Sequence, residues 1–222
     1  MFDVVWLIPL MPALAFITNG VAGRRMPQLT GWISTVSILS AFVLTVLLWV
    51  GGVSSAGPGW AFYPWVDSGT FAVTIGFLID PLSVVMLLVV TGVSALVALY
   101  SVGYMAHDPA KPRFHTWIPL FVFSMIMLVM SDNLLQLFIF WEMVGLCSYL
   151  LVGYWHERSS ANIAATKAFL VNRIGDFGFV IGIILAFIEF DTLRYQEIFS
   201  ALDAADPTMV TAIALLLFIG AM

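Results

Sequence analysis

The sequence predicts an all-α fold: a polytopic transmembrane helix bundle of six full spans and an incomplete seventh. Three observations carry this reading. The 222-residue chain is 62% hydrophobic and only 9% charged, with a mean hydropathy of +1.05, whereas soluble domains carry about 25% charged residues. Apolar runs long enough to cross a hydrocarbon core of about 30 Å recur along it. Most of its basic residues fall between those runs rather than within them.

Read in order, the spans cover about residues 2–22, 29–50, 77–104, 114–130, 134–154 and 163–190. A further run, "TMVTAIALLLFIGAM" at 208–222, closes the sequence. At 1.5 Å per residue it reaches only about 22 Å, so it predicts a seventh span that is cut short. The whole of 1–222 then forms one membrane domain, read as a fragment of a longer chain. The N-terminus has no basic stretch and no obvious small-residue cleavage site, so the first run is a retained helix rather than a signal peptide.

Orientation follows from the basic residues. Arg24 and Arg25 lie between spans 1 and 2, Lys111 and Arg113 between spans 3 and 4, and Arg158, with Lys167 just beyond, after span 5; the opposite loops carry only Arg194. The positive-inside rule places the first set in the cytoplasm and the N-terminus outside. The outer side is acidic, with Asp3, Asp67, Asp132, Asp191, Glu197, Asp203 and Asp206. An outer loop at 51–76 holds Trp60, Phe62, Tyr63 and Trp65, which suit an interfacial aromatic belt. Tyr195, Ile198, Phe199 and Leu202 recur at helical spacing, predicting a short helix on the outer surface.

Polar residues inside the membrane are the candidate functional groups, because each is costly there. Glu142 is the ninth residue of span 5, roughly 12 Å deep. Its helix face carries Leu135, Phe138, Gly145, Tyr149 and Gly153, and small residues on one face let another helix pack closely. Glu142 therefore faces protein or internal water, either as a structural group bonded to a neighbouring helix or as a site that gains and loses a proton or holds an ion. In span 6, Arg173 and Asp176 stand three apart on one helix face and can pair, with Asn172 beside them and Lys167 two turns towards the cytoplasm. The pair either snorkels to anchor the helix or forms a cytoplasmic uptake route for protons, with Lys167 and Arg173 tuning Asp176.

Other groups read as ordinary. Asp80 before Pro81 is a helix N-cap and Asp132 a cap in the "SDN" turn. His107, His115 and His156 are interfacial and solvated, with no metal-site spacing. Cys147 is buried and forms no internal disulfide. Scattered basic residues and a net charge of −5 exclude nucleic-acid binding. Neither a phosphate-cradling glycine loop nor a cysteine cluster for iron–sulfur ligation occurs, so energy must arrive from ions or from a partner.

The stretch 114–179 resembles the antiporter-like subunits of the respiratory NADH–quinone oxidoreductase, complex I, and within them the L (chain 5) family. "SDNLLQLFIFWEMVGLCSYLLVGYW" resembles that family's fourth and fifth helices, "KAFLVNRIGDFGF" the start of its sixth, and "GFLIDPLSVVMLLVVTGVSALVALYSVGYM" its third. Weaker likeness extends along the whole chain, which corresponds to about the first third of a family member. The resemblance implies that Glu142 is a proton-path glutamate whose partner is a lysine on a broken helix 7, expected just past Met222. Without that lysine the glutamate would be unpaired and inert. The resemblance also implies that Arg173 and Asp176 serve a cytoplasmic half-channel, and that the protein lies in the cell inner membrane beside other membrane subunits. No cofactor is expected in this chain; NADH, FMN, iron–sulfur clusters and quinone are expected in partner subunits. Two alternatives share these features: the large subunit of a multi-subunit Na+/H+ antiporter, which the "GLCSYLLVGYW" segment disfavours, and a split chain that packs without conducting.

Overall fold

The computed structural model describes residues 5–52, 60–68 and 71–222. Its helices are α1 (Leu7–Ala22), α2 (Thr30–Val50), α3 (Pro81–Tyr104), α4 (Lys111–Val129), α5 (Leu134–Val152), α6 (Ser159–Phe190), the short α7 (Tyr195–Ala201) and α8 (Pro207–Ala221). Five of them, α2 to α6, are long and apolar enough to cross a membrane; α1 and α8 are apolar but shorter. Helices thus occupy the predicted runs with shifted ends: α1 begins at Leu7 rather than 2, and α6 at Ser159 rather than 163. Residues 2–4 of the predicted first span, with Asp3, lie outside the described residues.

The chain is mostly helical, as expected, and adds a β-hairpin that the sequence reading did not place. Strands β1 (Trp60–Ser68) and β2 (Phe71–Phe77) pair antiparallel where an irregular outer loop was expected. β2 alternates large apolar residues (Phe71, Val73, Ile75, Phe77) with Ala72, Thr74 and Gly76, the period-2 pattern of a half-buried strand. The register shifts between Pro64 and Val66, which suits a residue with no N–H for the ladder. Phe77 bridges Ser131, and the Leu78 N–H donates to the Met130 carbonyl at 2.9 Å, so β2 is tied to the turn after α4. Span 3 accordingly starts at Pro81 and not at 77. Tyr63 and Trp65 are exposed on the hairpin, as a belt requires; the side chains of Trp60 and Phe62, and Asp67's, lie outside the described residues.

Two apolar cores hold the bundle. Ile8 and Ile38 of α1 and α2 meet Leu87 and Ala98 of α3 and Val122 and Ile126 of α4. Phe179 and Ile183 of α6 pack with Val73 of the hairpin, Leu135 and Phe138 of α5 and Leu217 of α8. α6 and α8 approach closely through glycine: a Cβ added at Gly178 would lie 2.9 Å from Ile219, and one at Gly220 would lie 2.6 Å from Phe179. The outer faces carry Leu82, Leu96, Ile174 and Phe177, all widely exposed, as hydrocarbon contact allows.

The turns sort onto opposite ends. At one end, the α1–α2 turn with Arg24 and Arg25, the start of α4 and the α5–α6 turn lie together. There the Asn19 amide donates to the Thr30 and His115 carbonyls, and Arg113 donates to the Tyr154 carbonyl at 2.7 Å. At the other end, the hairpin, residues 131–133 and the segment after α6 interlock, with Leu134 N–H on the Leu193 carbonyl and Tyr195 N–H on that of Asp132. α7 forms at the predicted outer helix and runs into a 3₁₀ turn at Leu202–Ala204.

The caps hold with one correction. Asp80 opens α3 with a capping box, accepting from Ser83 N–H at 2.6 Å while Ser83 Oγ accepts from the Asp80 N–H. At α5, however, the cap is Asn133, which accepts from Gln136 N–H at 2.8 Å. Asp132 is buried instead, with its carboxylate against Gly76 and Arg194 Nη2 3.8 Å away. Burial pushes its carboxyl above the usual range, against the Asn133 and Arg194 interactions that lower it. His107 and His156 are exposed as expected, but His115 is only 2% exposed, because Gly31 lets α2 close over its ring.

Candidate functional site

α5 and α6 build the site. Asn133 starts α5 and sets its rotation. Gly145 and Gly153 then face α6: a Cβ at Gly153 would lie 3.2 Å from Ala165 Cβ, and one at Gly145 would lie 3.9 Å from the Asn172 amide nitrogen. The glycine face read from the sequence is thus a helix–helix contact, and Tyr149 completes it edge-on against Phe169.

Close approach brings three charged groups together. Arg173 makes a contact ion pair with Glu142 across the two helices and stands 3.8 Å from Asp176 on its own helix. The pairing of Arg173 with Asp176 was legible from spacing; the Glu142–Arg173 contact was not. It corrects the expectation that Glu142 has no cation within this chain. The Glu142 oxygen in this contact, Oε1, is buried. Arg173 also lies over the Phe169 ring, 4.9 Å from its centroid, which steadies the guanidinium by a cation–π contact. Asp176 is 4% exposed and accepts from Trp141 Nε1 at 3.2 Å. Sequence reasoning missed Trp141; its place next to Glu142 was the available signal.

These groups line a cavity of about 330 Å³ shared with Ser148, Asn172 and the end of α8. Arg173 is the most open of the three, its side chain 41% exposed. One guanidinium therefore serves two carboxylates in a space that admits water, an arrangement able to bind and release a proton. Lys167 is not brought to it. Six residues before Arg173, it is exposed on another face of α6 beside Leu170 and Ile174.

Comparison with known proteins places this geometry in a family. Residues 65–115 match the family model described as NADH-ubiquinone oxidoreductase (complex I), chain 5 N-terminus. Residues 131–222, which hold Glu142, Arg173 and Asp176, match the family model described as NADH:quinone oxidoreductase/Mrp antiporter, TM. The chain belongs to the complex I chain 5 family of antiporter-like subunits. Within it, NAD(P)H-quinone oxidoreductase subunit 5 of the Paulinella chromatophora chromatophore is 38% identical over 99% of this chain and 35% of its own length. NADH-quinone oxidoreductase subunit L of Mycobacterium tuberculosis is 38% identical over 97% of this chain and 35% of its own length. The chain thus spans about a third of the length of these relatives. A chain of an archaeal respiratory membrane complex, the membrane-bound sulfane sulfur reductase, superposes with a TM-score of 0.82 at 20% identity, over 98% of this chain and 44% of that one. That likeness shows a shared fold.

Proposed function

We propose that this chain is part of a proton-translocating membrane subunit of an NADH–quinone oxidoreductase, and that Glu142, Arg173 and Asp176 form a proton site in it. The observation that carries the reading is Arg173 standing between Glu142 and Asp176 at a cavity that admits water. Two carboxylates and one guanidinium sum to one negative charge, which a proton from cavity water can neutralise. When Arg173 turns towards Asp176, Glu142 loses its counter-ion, and a proton can take the place of the guanidinium. The insertion cost of a carboxylate, roughly 2.5–3.5 kcal/mol, is offset by a partner able to move.

Supporting features extend this reading. The clustering of Arg24, Arg25, Arg113 and Arg158 at one end orients that end towards the cytoplasm and the hairpin outwards, in a cell inner membrane. α1 and α8 join the five longer helices as the first and seventh spans. The redox reaction, with its NADH, FMN, iron–sulfur clusters and quinone, belongs to partner subunits, and this chain receives its driving force from them.

A second reading, Na+/H+ exchange, draws on the Mrp antiporter named by the family that matches 131–222. One experiment tests both. Glu142→Gln in the complete complex, reconstituted in vesicles, should abolish most NADH-driven acidification while electron transfer to quinone continues at an assembled level. Normal acidification refutes the proton site. Sodium-driven proton exchange without any NADH dependence supports the second reading.

A further inference from the structure

We propose that Trp141 is a positioning and barrier residue of this site, with its indole N–H holding Asp176 and its ring sealing the cavity from the outer side. The inference rests on the proton-site reading above and adds the residue that gives the site its direction.

Trp141 points two features at different neighbours. Nε1–H donates to Asp176 Oδ1 at 3.2 Å, across from α5 to α6. The ring lies nearly parallel to that of Phe179, at 16° with centroids 5.7 Å apart; Phe179 stacks in turn on Phe138 at 19° and 5.8 Å. α5 runs inward from its Asn133 cap, so Phe138 is one turn to the outer side of Glu142. α6 runs outward, so Phe179 is one turn to the outer side of Asp176. The three rings therefore form a layer just outside the charged groups. Beyond it lie Leu134, Leu135, Ile183 and Phe187, and then Asn133 and Asp132 of the turn before α5. A water-lined site on one side of a dry aromatic layer opens to one side only, as vectorial transfer requires.

The two roles separate by substitution. Trp141→Phe keeps a stacking ring and removes the N–H; Phe179→Leu keeps the N–H and removes the stack. The assay is the complete complex in vesicles, with NADH-dependent quinone reduction reporting assembly, acidification reporting pumping, and decay of an imposed pH gradient reporting leak. Trp141→Phe should displace the pH profile of coupled pumping by about one unit, with leak as in the wild type. Phe179→Leu should raise leak severalfold with the profile in place. A wild-type profile in Trp141→Phe overturns the positioning role, and a wild-type leak in Phe179→Leu overturns the barrier. Glu142→Gln run in parallel keeps the outcomes distinct: if it pumps normally, the proton-site reading fails, whatever Trp141 does.

Discussion

Removing the Arg173 guanidinium tests the charge logic of the site most directly. Two unit charges 3.8 Å apart, the Arg173–Asp176 separation, interact by about 4 kcal/mol at an effective dielectric constant of 20. The Arg173 side chain is 41% exposed, so screening by cavity water brings this down to about 1–2 kcal/mol per pair. Since 1.4 kcal/mol is tenfold, Arg173→Ala should lower coupled acidification by about 5- to 30-fold. Arg173→Lys restores a charge without the planar fork that reaches both carboxylates, and should recover only part of the loss. The assay is coupled acidification in the reconstituted complex, run as a double-mutant cycle with Glu142→Gln. Arg173→Ala should do little further harm once Glu142 is neutral, leaving a coupling of about 1–2 kcal/mol. Additive effects of the two substitutions would refute the idea that Arg173 acts through Glu142, and would leave it a snorkelling anchor.

Other expectations concern the two ends of the bundle. A Cβ at Gly76 would overlap the Asp132 carboxylate, so Gly76→Ala should destabilise the fold by about 1–3 kcal/mol, read as a lower thermal midpoint and faster proteolysis at the hairpin. At the opposite end, burial alone would raise Asp108, but donation from the Ala110 N–H, Tyr154 and Trp155, with the charge of Arg113, holds its carboxyl below the ordinary 3.8. Its ionised form is favoured by folding, so its stabilisation is complete above that value and lost as pH falls through the lowered one. Asp108→Asn should cost about 1–2 kcal/mol at neutral pH, and its thermal midpoint should converge on the wild type's in acid. Asp132 has the opposite sign. Its raised carboxyl favours the protonated form in the fold, so the wild type should lose stability relative to Asp132→Asn as pH rises through that value, measurable in the same thermal series.

Spacing along single helices was readable in the sequence; contacts between helices were not. Periodic apolar runs located the helices, because burial in hydrocarbon leaves a long uninterrupted signature. Gly145 and Gly153 correctly marked the α5 face that meets α6, and Asp80 the cap of α3, because both depend on local geometry. The hairpin escaped notice although β2 alternates from Phe71 to Phe77, since its strands sat in a stretch read as loop between two strong helices. The same limit explains Asp132 and Asn133: adjacent residues both suited to capping, sorted only by Gly76 making room for one carboxylate. Glu142 and Arg173 are 31 residues apart, and no helical period links them. Only the rotation of α5 against α6 puts them in contact.

That rotation is held at three levels along α5. At its N-terminal end the Gln136 side chain pairs with the Gly76 backbone in both directions, at 2.9 and 3.0 Å, standing in for a neighbouring strand. Just past its C-terminal end Tyr154 donates to Asp108 at 2.9 Å and accepts Arg113 on its carbonyl. Between these anchors, and among the described residues, the polar contacts of the seam with α6 are an ion pair open to the cavity and the indole hydrogen bond. The strong contacts are neutral or shielded at the ends, and the weak ones are charged at the centre. A change of ionisation at Glu142 therefore finds its least resistance in the Arg173 side chain, not in the helices. In the proton-site reading proposed above, transfer is a side-chain movement within a rigid frame, and the glycine face is what keeps the frame close enough for one guanidinium to serve two carboxylates.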